Sequence, residues 1–217
     1  MNIAILGTGT YGTILGKAFV AQGHSIYFGS RNPDAKRAWA ATIGPSVQVG
    51  TYPQAAAFGE VIVVATPWPG DATAQVLAAV GPLPNKILLD ATNALHADYS
   101  PRSFDHANSA AEEVARLRPE ARVVKAFNSL SGYVLSDPNR LHFGDAILTG
   151  FYCGDDPAAK EVVRDLVQAA GLAPLDAGPL ANARHLESLN QLQIALGFGQ
   201  GLGVDTGFVF VHRPPAE

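Results

Sequence analysis

Gly7-Thr8-Gly9-Thr10-Tyr11-Gly12 sets three glycines at G-x-G-x-x-G spacing near the start of the chain. Gly7 permits a tight turn, Gly9 lets a pyrophosphate approach the backbone, and Gly12 lets a helix pack closely on a strand while its first amides face the anion. Alone the motif is weak, because a glycine turn can serve only to pack a helix. Its surroundings strengthen it. The apolar run Asn2-Ile3-Ala4-Ile5-Leu6 precedes it, and Ile14, Leu15, Ala18, Phe19 and Ala21 recur behind it at helical spacing as far as Gly23. Ser25-Ile26-Tyr27-Phe28-Gly29 then reads as a second strand, so the unit is strand, glycine turn, helix, strand, which is the setting in which the motif holds a dinucleotide.

The end of the second strand selects between dinucleotides. A free ribose 2′-hydroxyl is usually held by Asp or Glu at this point, whereas a 2′-phosphate needs cationic and hydroxyl donors with no carboxylate nearby. Here the strand ends in Ser30-Arg31, the first acidic residue of the chain is Asp34, and Lys36 and Arg37 lie just beyond it. These residues predict NADP(H), with Arg31 stacking on or forking to the phosphate and Ser30 donating its hydroxyl. The plainer reading of Arg31 is a solvated surface arginine.

Three further breaks carry short polar side chains. The β-branched run Glu60-Val61-Ile62-Val63-Val64-Ala65 ends in Thr66-Pro67-Trp68, Lys86-Ile87-Leu88-Leu89-Asp90 breaks at Ala91-Thr92-Asn93, and Arg122-Val123-Val124-Lys125-Ala126-Phe127 breaks at Asn128-Ser129. Each run reads as a buried parallel strand whose carboxyl end faces the cofactor, so Ala65, Thr66, Pro67, Asn93 and Asn128 are expected beside the nicotinamide and its ribose. Asn, Thr and Ser also cap helices without touching ligand. Trp68 could wall a ring-stacking pocket or belong to the core.

The elements that must position these residues follow from the pattern. Between the strands lie helical stretches at residues 35–42, 52–58, 71–80 and 109–117, with a short strand at 47–49. Strands alternating with helices predict a Rossmann-type doubly wound parallel sheet with right-handed crossovers and ligands at the strands' carboxyl ends. Residues 1–143 would be the NADP-binding domain. Residues 144–217 would be a small C-terminal α/β extension serving acceptor binding or dimer contact, with a strand through Cys153, a helix at 157–170, the segment from Ala177 running as helix to about Gly197, and a closing strand at 207–211 ended by Pro214-Pro215. Leu186, Leu189, Leu192 and Leu196 fall near one face of the last helix and read as core or as a homodimer contact.

Composition narrows the remaining possibilities. The chain has 217 residues, 47% hydrophobic and 16% charged, with a net charge of −4 and no basic stripe, which disfavours nucleic acid or an anionic membrane as partner. No membrane-spanning run is found, and the apolar amino terminus lacks a cationic leader, so a cytoplasmic protein is expected. The single cysteine, Cys153, reads as a small core hydrophobe and excludes an intramolecular disulfide. The six histidines are scattered, and no metal site is expected.

Together the segments Gly7 to Gly12, Gly29-Ser30-Arg31, Thr66-Pro67-Trp68, Cys153-Gly154-Asp155-Asp156 and Leu175-Asp176-Ala177-Gly178-Pro179-Leu180-Ala181-Asn182-Ala183-Arg184 with Glu187-Ser188 resemble the coenzyme F-420-dependent NADP oxidoreductases, the deazaflavin reductases. The chain is also similar to the cytosolic domain of certain membrane metalloreductases. The resemblance implies hydride transfer between NADPH and a flat acceptor, coenzyme F-420 or a flavin, lodged between the main domain and the C-terminal helix. It implies catalysis by apposition, with no dedicated acid or base, which suits a chain in which no serine-histidine-acid set is found. The chain departs from the family at Asn128, where deazaflavin users can carry histidine, and at Asp90-Ala91-Thr92-Asn93. Arg184 and His185 could meet an anionic acceptor or lie on the helix surface.

Two functions follow: a small-molecule NADPH-dependent oxidoreductase, or a non-catalytic NADP(H)-binding redox sensor. An apolar pocket walled by Trp68 and the C-terminal helix favours the first, and a pocket filled by the protein's own side chains favours the second. An alcohol or imine dehydrogenase needs a long helical second domain, for which the residues after Gly144 are too few.

Overall fold

Runs such as Ile3-Ala4-Ile5-Leu6 and Val61-Ile62-Val63-Val64 have no polar face and are stable only where both faces of a sheet are covered. The computed structural model, which describes residues 1–104 and 107–213, buries every one of these residues. In chain order the elements are β1 (Asn2–Leu6), α1 (Thr10–Ala21), β2 (Ser25–Gly29), α2 (Arg37–Ala41), β3 (Gln48–Gly50), α3 (Tyr52–Phe58), β4 (Val61–Val64), α4 (Ala72–Ala79) and β5 (Ile87–Asp90). There follow α5 (Ala110–Leu117), β6 (Arg122–Ala126), α6 (Gly132–Leu135), β7 (His142–Phe143), β8 (Ala146–Ile147), β9 (Thr149–Gly154), α7 (Pro157–Ala169), β10 (Ala173–Asp176) and α8 (Ala183–Ile194).

Eight strands form one Rossmann-like sheet in the order β10-β9-β6-β5-β4-β1-β2-β3. β1 pairs in parallel with both β2 and β4, so the winding reverses at β1, and a crevice opens at the carboxyl ends of these three strands. Alternate residues feed two cores. Ile3, Ile5, Val61 and Val63 pack with Leu15 and Phe19 of α1 and Val163 and Leu166 of α7. Ala4, Leu6, Ile62 and Val64 pack on the other face with α3, α4, α5 and α8.

Three expectations are corrected. The sheet is not wholly parallel, because β9 runs antiparallel to β6. A parallel pair needs a long crossover, whereas β6 and β9 are joined by the single-turn helix α6 and the β7–β8 hairpin, which lets the chain return in the opposite sense. α7 then supplies the crossover that makes β10 parallel to β9, so residues beyond 143 extend the main sheet. Second, residues 207–211 do not close as a strand. Thr149 donates its amide to the Phe208 carbonyl at 2.9 Å, and Phe210 donates its amide to Thr149 Oγ1 at 2.9 Å, a pairing confined to the first residue of β9. Pro214-Pro215 lies outside the described residues. Third, the buried face of α8 is largely small or polar, Ala183, Leu186, Glu187, Asn190 and Gln193, so of the leucine stripe Leu186 alone is fully in the core, and Leu192 is 50% exposed.

Among the described residues no helix is long and apolar enough to cross a membrane. Cys153 is buried in β9, and burial pushes its thiol up to about 12. A neutral, inaccessible thiol is a poor nucleophile. The native protein is therefore expected to react with a thiol reagent at neutral pH far more slowly than the urea-unfolded chain, and equal rates would show that Cys153 is accessible.

Candidate functional site

Gly9 caps the start of α1, which has no capping side chain and no acidic residue in its first turn. The three glycines that precede it have different structural standing. Gly7 holds φ at +127°, and a Cβ there would meet the Ala65 carbonyl oxygen at 2.4 Å. A Cβ on Gly12 would meet the Gly7 carbonyl oxygen at 2.4 Å. At Gly9 a Cβ would meet nothing within 4 Å. Two glycines are thus required by the turn itself, and the third keeps space open in front of the helix amides, as an approaching phosphate group requires.

That space leads into a cleft of about 500 Å³ at the carboxyl ends of β1, β2 and β4. The structure brings together there Gly7, Thr8, Gly9, Ser30, Arg31, Lys36, Ala65, Thr66 and Pro67. Asn32, Tyr52 and Gln75 also line it, and sequence reasoning did not find them because each enters from a neighbouring turn or helix. The Asn32 amide donates to Ser30 Oγ at 3.1 Å, leaving the Ser30 hydroxyl proton free to point elsewhere. Asp34, the first acidic residue of the chain, is tied to Arg37 at 2.8 Å. Burial pushes the Tyr52 phenol up, and the Arg31 guanidinium acts against that shift, as a cation close to the ring would. The cleft therefore carries two cationic side chains and a hydroxyl without an opposing free carboxylate, a donor set suited to a phosphate monoester.

A second cavity, of about 330 Å³, lies at the carboxyl ends of β5 and β6 and is closed by α8 and the segment after it. Tyr11, Asn93 and Asn128 line it, with Leu95, Leu130 and Ile194 as apolar walls, and none of its described lining residues is charged. Asn128 Nδ2 donates to Asn93 Oδ1 at 2.9 Å and to the Leu186 carbonyl at 3.0 Å, while Asn93 Nδ2 donates to the Asn128 carbonyl at 2.9 Å. Both Nδ2 protons are thereby engaged, and Asn128 Oδ1 is left buried and unpartnered among the described residues. Asn190 Oδ1, on α8, is in the same condition. Phe127 adopts φ +65°, rare for a bulky side chain, and its carbonyl accepts a hydrogen bond from the Tyr11 hydroxyl. Burial pushes the Tyr11 phenol well above its ordinary value, which keeps it protonated as that donor.

The other expected residues fall elsewhere. Thr10 lines a groove over the outer face of α1, and Gly12 packs beneath the turn. Trp68 walls neither cavity. It is 2% exposed, its Nε1 donates to Thr92 Oγ1 at 2.8 Å, and its ring meets Phe104 edge to face at 4.8 Å between centroids. A large ring followed by the turn that starts α4 is drawn into the core, where its N–H finds a buried acceptor. Arg184 is held by Glu112 at 2.9 Å and His185 is exposed, so neither lines the uncharged cavity.

Sequence reasoning also missed a buried ion cluster joining β5, β6 and α8. Lys125 Nζ is fully buried and donates to Asp90 Oδ2 at 2.8 Å, to Glu187 Oε1 at 2.8 Å and to the Thr92 carbonyl. Asp90 Oδ1 accepts from the Thr92 amide and hydroxyl, and Glu187 accepts from the amides of Ala110 and Ala111 at the start of α5. The signal was a lone lysine in the apolar run Val123-Val124-Lys125-Ala126-Phe127. A buried ammonium at that position demands carboxylate partners.

The family model described as NADP oxidoreductase, coenzyme F-420-dependent, matches residues 2–94. A crystal structure of a provisionally assigned F-420-dependent NADP reductase from Arthrobacter sp. FB24 is 32% identical, covers 97% of this chain and 99% of its own, and superposes with a TM-score of 0.82. The metalloreductase STEAP3 of Rattus norvegicus is 35% identical over 189 residues, which is 87% of this chain and 36% of that protein. The human metalloreductase STEAP2 is 27% identical over 190 residues, again 36% of its length, so the chain spans about a third of these curated relatives. A reductive aminase from Aspergillus terreus in complex with NADPH and ethyl levulinate shares the fold at 22% identity and a TM-score of 0.63, with 62% of its chain covered.

Proposed function

The chain belongs to the coenzyme F-420-dependent NADP oxidoreductases, and on that premise we propose that it is an NADPH-dependent reductase of a flat ring acceptor such as coenzyme F-420 or a flavin. The observation that carries this reading is the pair of cavities along the carboxyl edge of the sheet: one lined by Arg31, Lys36 and Ser30, the other apolar and uncharged.

The residues fit the dinucleotide. The open face of Gly9 and the uncapped start of α1 would receive the pyrophosphate, and Ser30, Arg31 and Lys36 would hold the 2′-phosphate. Asn128 Oδ1, buried without a donor, suits a carboxamide N–H at the nicotinamide end. When bound, NADPH supplies a hydride, and a proton from solvent completes the two-electron reduction of the acceptor. The chain's own contribution is placement and exclusion of water: Tyr11, Leu130 and Ile194 form the walls, and residues from α8 onward complete the acceptor side. A cavity of about 330 Å³ left open beside α8 supports the enzyme over the redox sensor, which would fill it.

The test is consumption of NADPH by purified protein with F-420, FMN, FAD and ferric chelates offered separately, and with NADH as control. Turnover with a flat ring supports the proposal. NADPH binding without turnover on any of them removes it. Arg31→Ala is expected to weaken NADPH by roughly 10- to 100-fold, matching about 1.5–3 kcal/mol for charge-assisted contacts, while leaving NADH nearly unchanged. Equal losses for the two nucleotides would sink the 2′-phosphate assignment.

A further inference from the structure

We infer that Asn190 is the specificity-determining residue of the acceptor cavity, and that the acceptor it selects is an uncharged heteroaromatic ring donating an N–H toward α8. The inference rests on reading this cavity as the acceptor site.

Asn190 stands on the buried face of α8, is 8% exposed and lines the cavity. Its Oδ1 has no hydrogen-bond partner among the described residues. An unpaired buried carbonyl is costly, and a ring that meets Asn190 with a hydrogen-bond donor relieves that cost. Only a donor does this, so the edge facing α8 carries an N–H. Asn128 Oδ1 does not compete for the same donor, because it projects from the end of β6 and is matched above to the nicotinamide carboxamide.

Charge is excluded by the rest of the lining. With no lysine, arginine, histidine or carboxylate among the described lining residues, a charge carried on the ring would be buried unpaired. The shape is set by apolar and aromatic walls, and at the mouth Tyr99 and Phe198 stand 6.3 Å apart between centroids at 26°, a stacked pair contributed by two separate segments. Such a rim favours a planar group.

The experiment titrates riboflavin, 3-methylriboflavin and 8-carboxyriboflavin by fluorescence against the full chain saturated with NADP, and measures NADPH oxidation with the same compounds. Riboflavin offers a ring N–H that methylation at N3 removes. Methylation is expected to weaken binding by roughly tenfold or more, and a carboxylate on the ring by at least as much. Asn190→Leu is expected to abolish the difference between riboflavin and its N3-methyl form without changing NADP affinity, which a merely structural role for Asn190 would not produce. Equal affinity of the three compounds in the wild-type chain overturns the inference, as does absence of riboflavin binding or discrimination that survives Asn190→Leu. Discriminating binding without NADPH oxidation leaves the inference standing and removes the reductase reading. Oxidation without discrimination does the reverse.

Discussion

Gly9→Val yields a folded protein that binds neither NADPH nor NADH. Gly9 has φ −78° and ψ −178°, extended backbone that valine adopts readily, and a Cβ there meets nothing within 4 Å. The cost to folding is confined to a poorer residue at the start of α1, about 1 kcal/mol. The valine methyls nevertheless occupy the space that leads to the helix amides, so the affinity for both nucleotides is expected to fall by more than roughly 100-fold. Circular dichroism and thermal melting should match the wild type within a few degrees while a binding titration shows no saturation. Gly12→Val is the contrasting case, because its Cβ strikes the Gly7 carbonyl and the turn itself must shift. Retention of NADPH binding in Gly9→Val would place the pyrophosphate away from this turn.

Lys125→Met removes the one cation between two carboxylates and is expected to destabilise the fold by about 3–5 kcal/mol at neutral pH, the cost of leaving buried charge uncompensated. For a chain of this size that is a fall in melting temperature of roughly 10 °C. Adding Asp90→Asn and Glu187→Gln removes the stranded charges, and the triple variant should recover much of the loss. Full stability in Lys125→Met alone would show that the cluster is not held as a unit. The sign with pH follows from the lysine. Burial pulls its pKa down, but Asp90 and Glu187 outweigh burial and hold it above the ordinary value. A raised value in the folded state means that this contribution is fully present below the unfolded lysine pKa of about 10.4 and is lost as pH rises through the folded one.

The part of the fold that was legible is the part set by local rules. Gly7, Gly9 and Gly12 lie between a strand and a helix, and Ser30-Arg31 ends the next strand, so their neighbourhood follows from sequence order alone. Asn93 and Asn128 lie 35 positions apart yet share a cavity because parallel strands bring their carboxyl ends to one edge. What escaped depends on partners far away in sequence. Trp68 turns inward because Thr92 offers it an acceptor, and the polar face of α8 is explained only once Lys125 is seen beneath Glu187. The reversal of β9 was hidden for a related reason: β-branched runs record burial, and burial is the same whichever way a strand points.

That reversal has a mechanical side. β9 is bonded directly to β6, and α8 is pinned to the same strand through Glu187 and Lys125, so the two sides of the acceptor cavity form one stiff body without a hinge between lobes. On the proposed reading, exchange of acceptor for product would need only the rings of Tyr99 and Phe198 at the cavity's edge, which are 62% and 67% exposed. Side chains of that kind reorient in picoseconds to nanoseconds, against microseconds to milliseconds for the closure of whole domains. On the proposed reading, the traffic of substrate would be set by diffusion and by the grip of the pocket, with no movement of lobes required of the frame that holds the nucleotide.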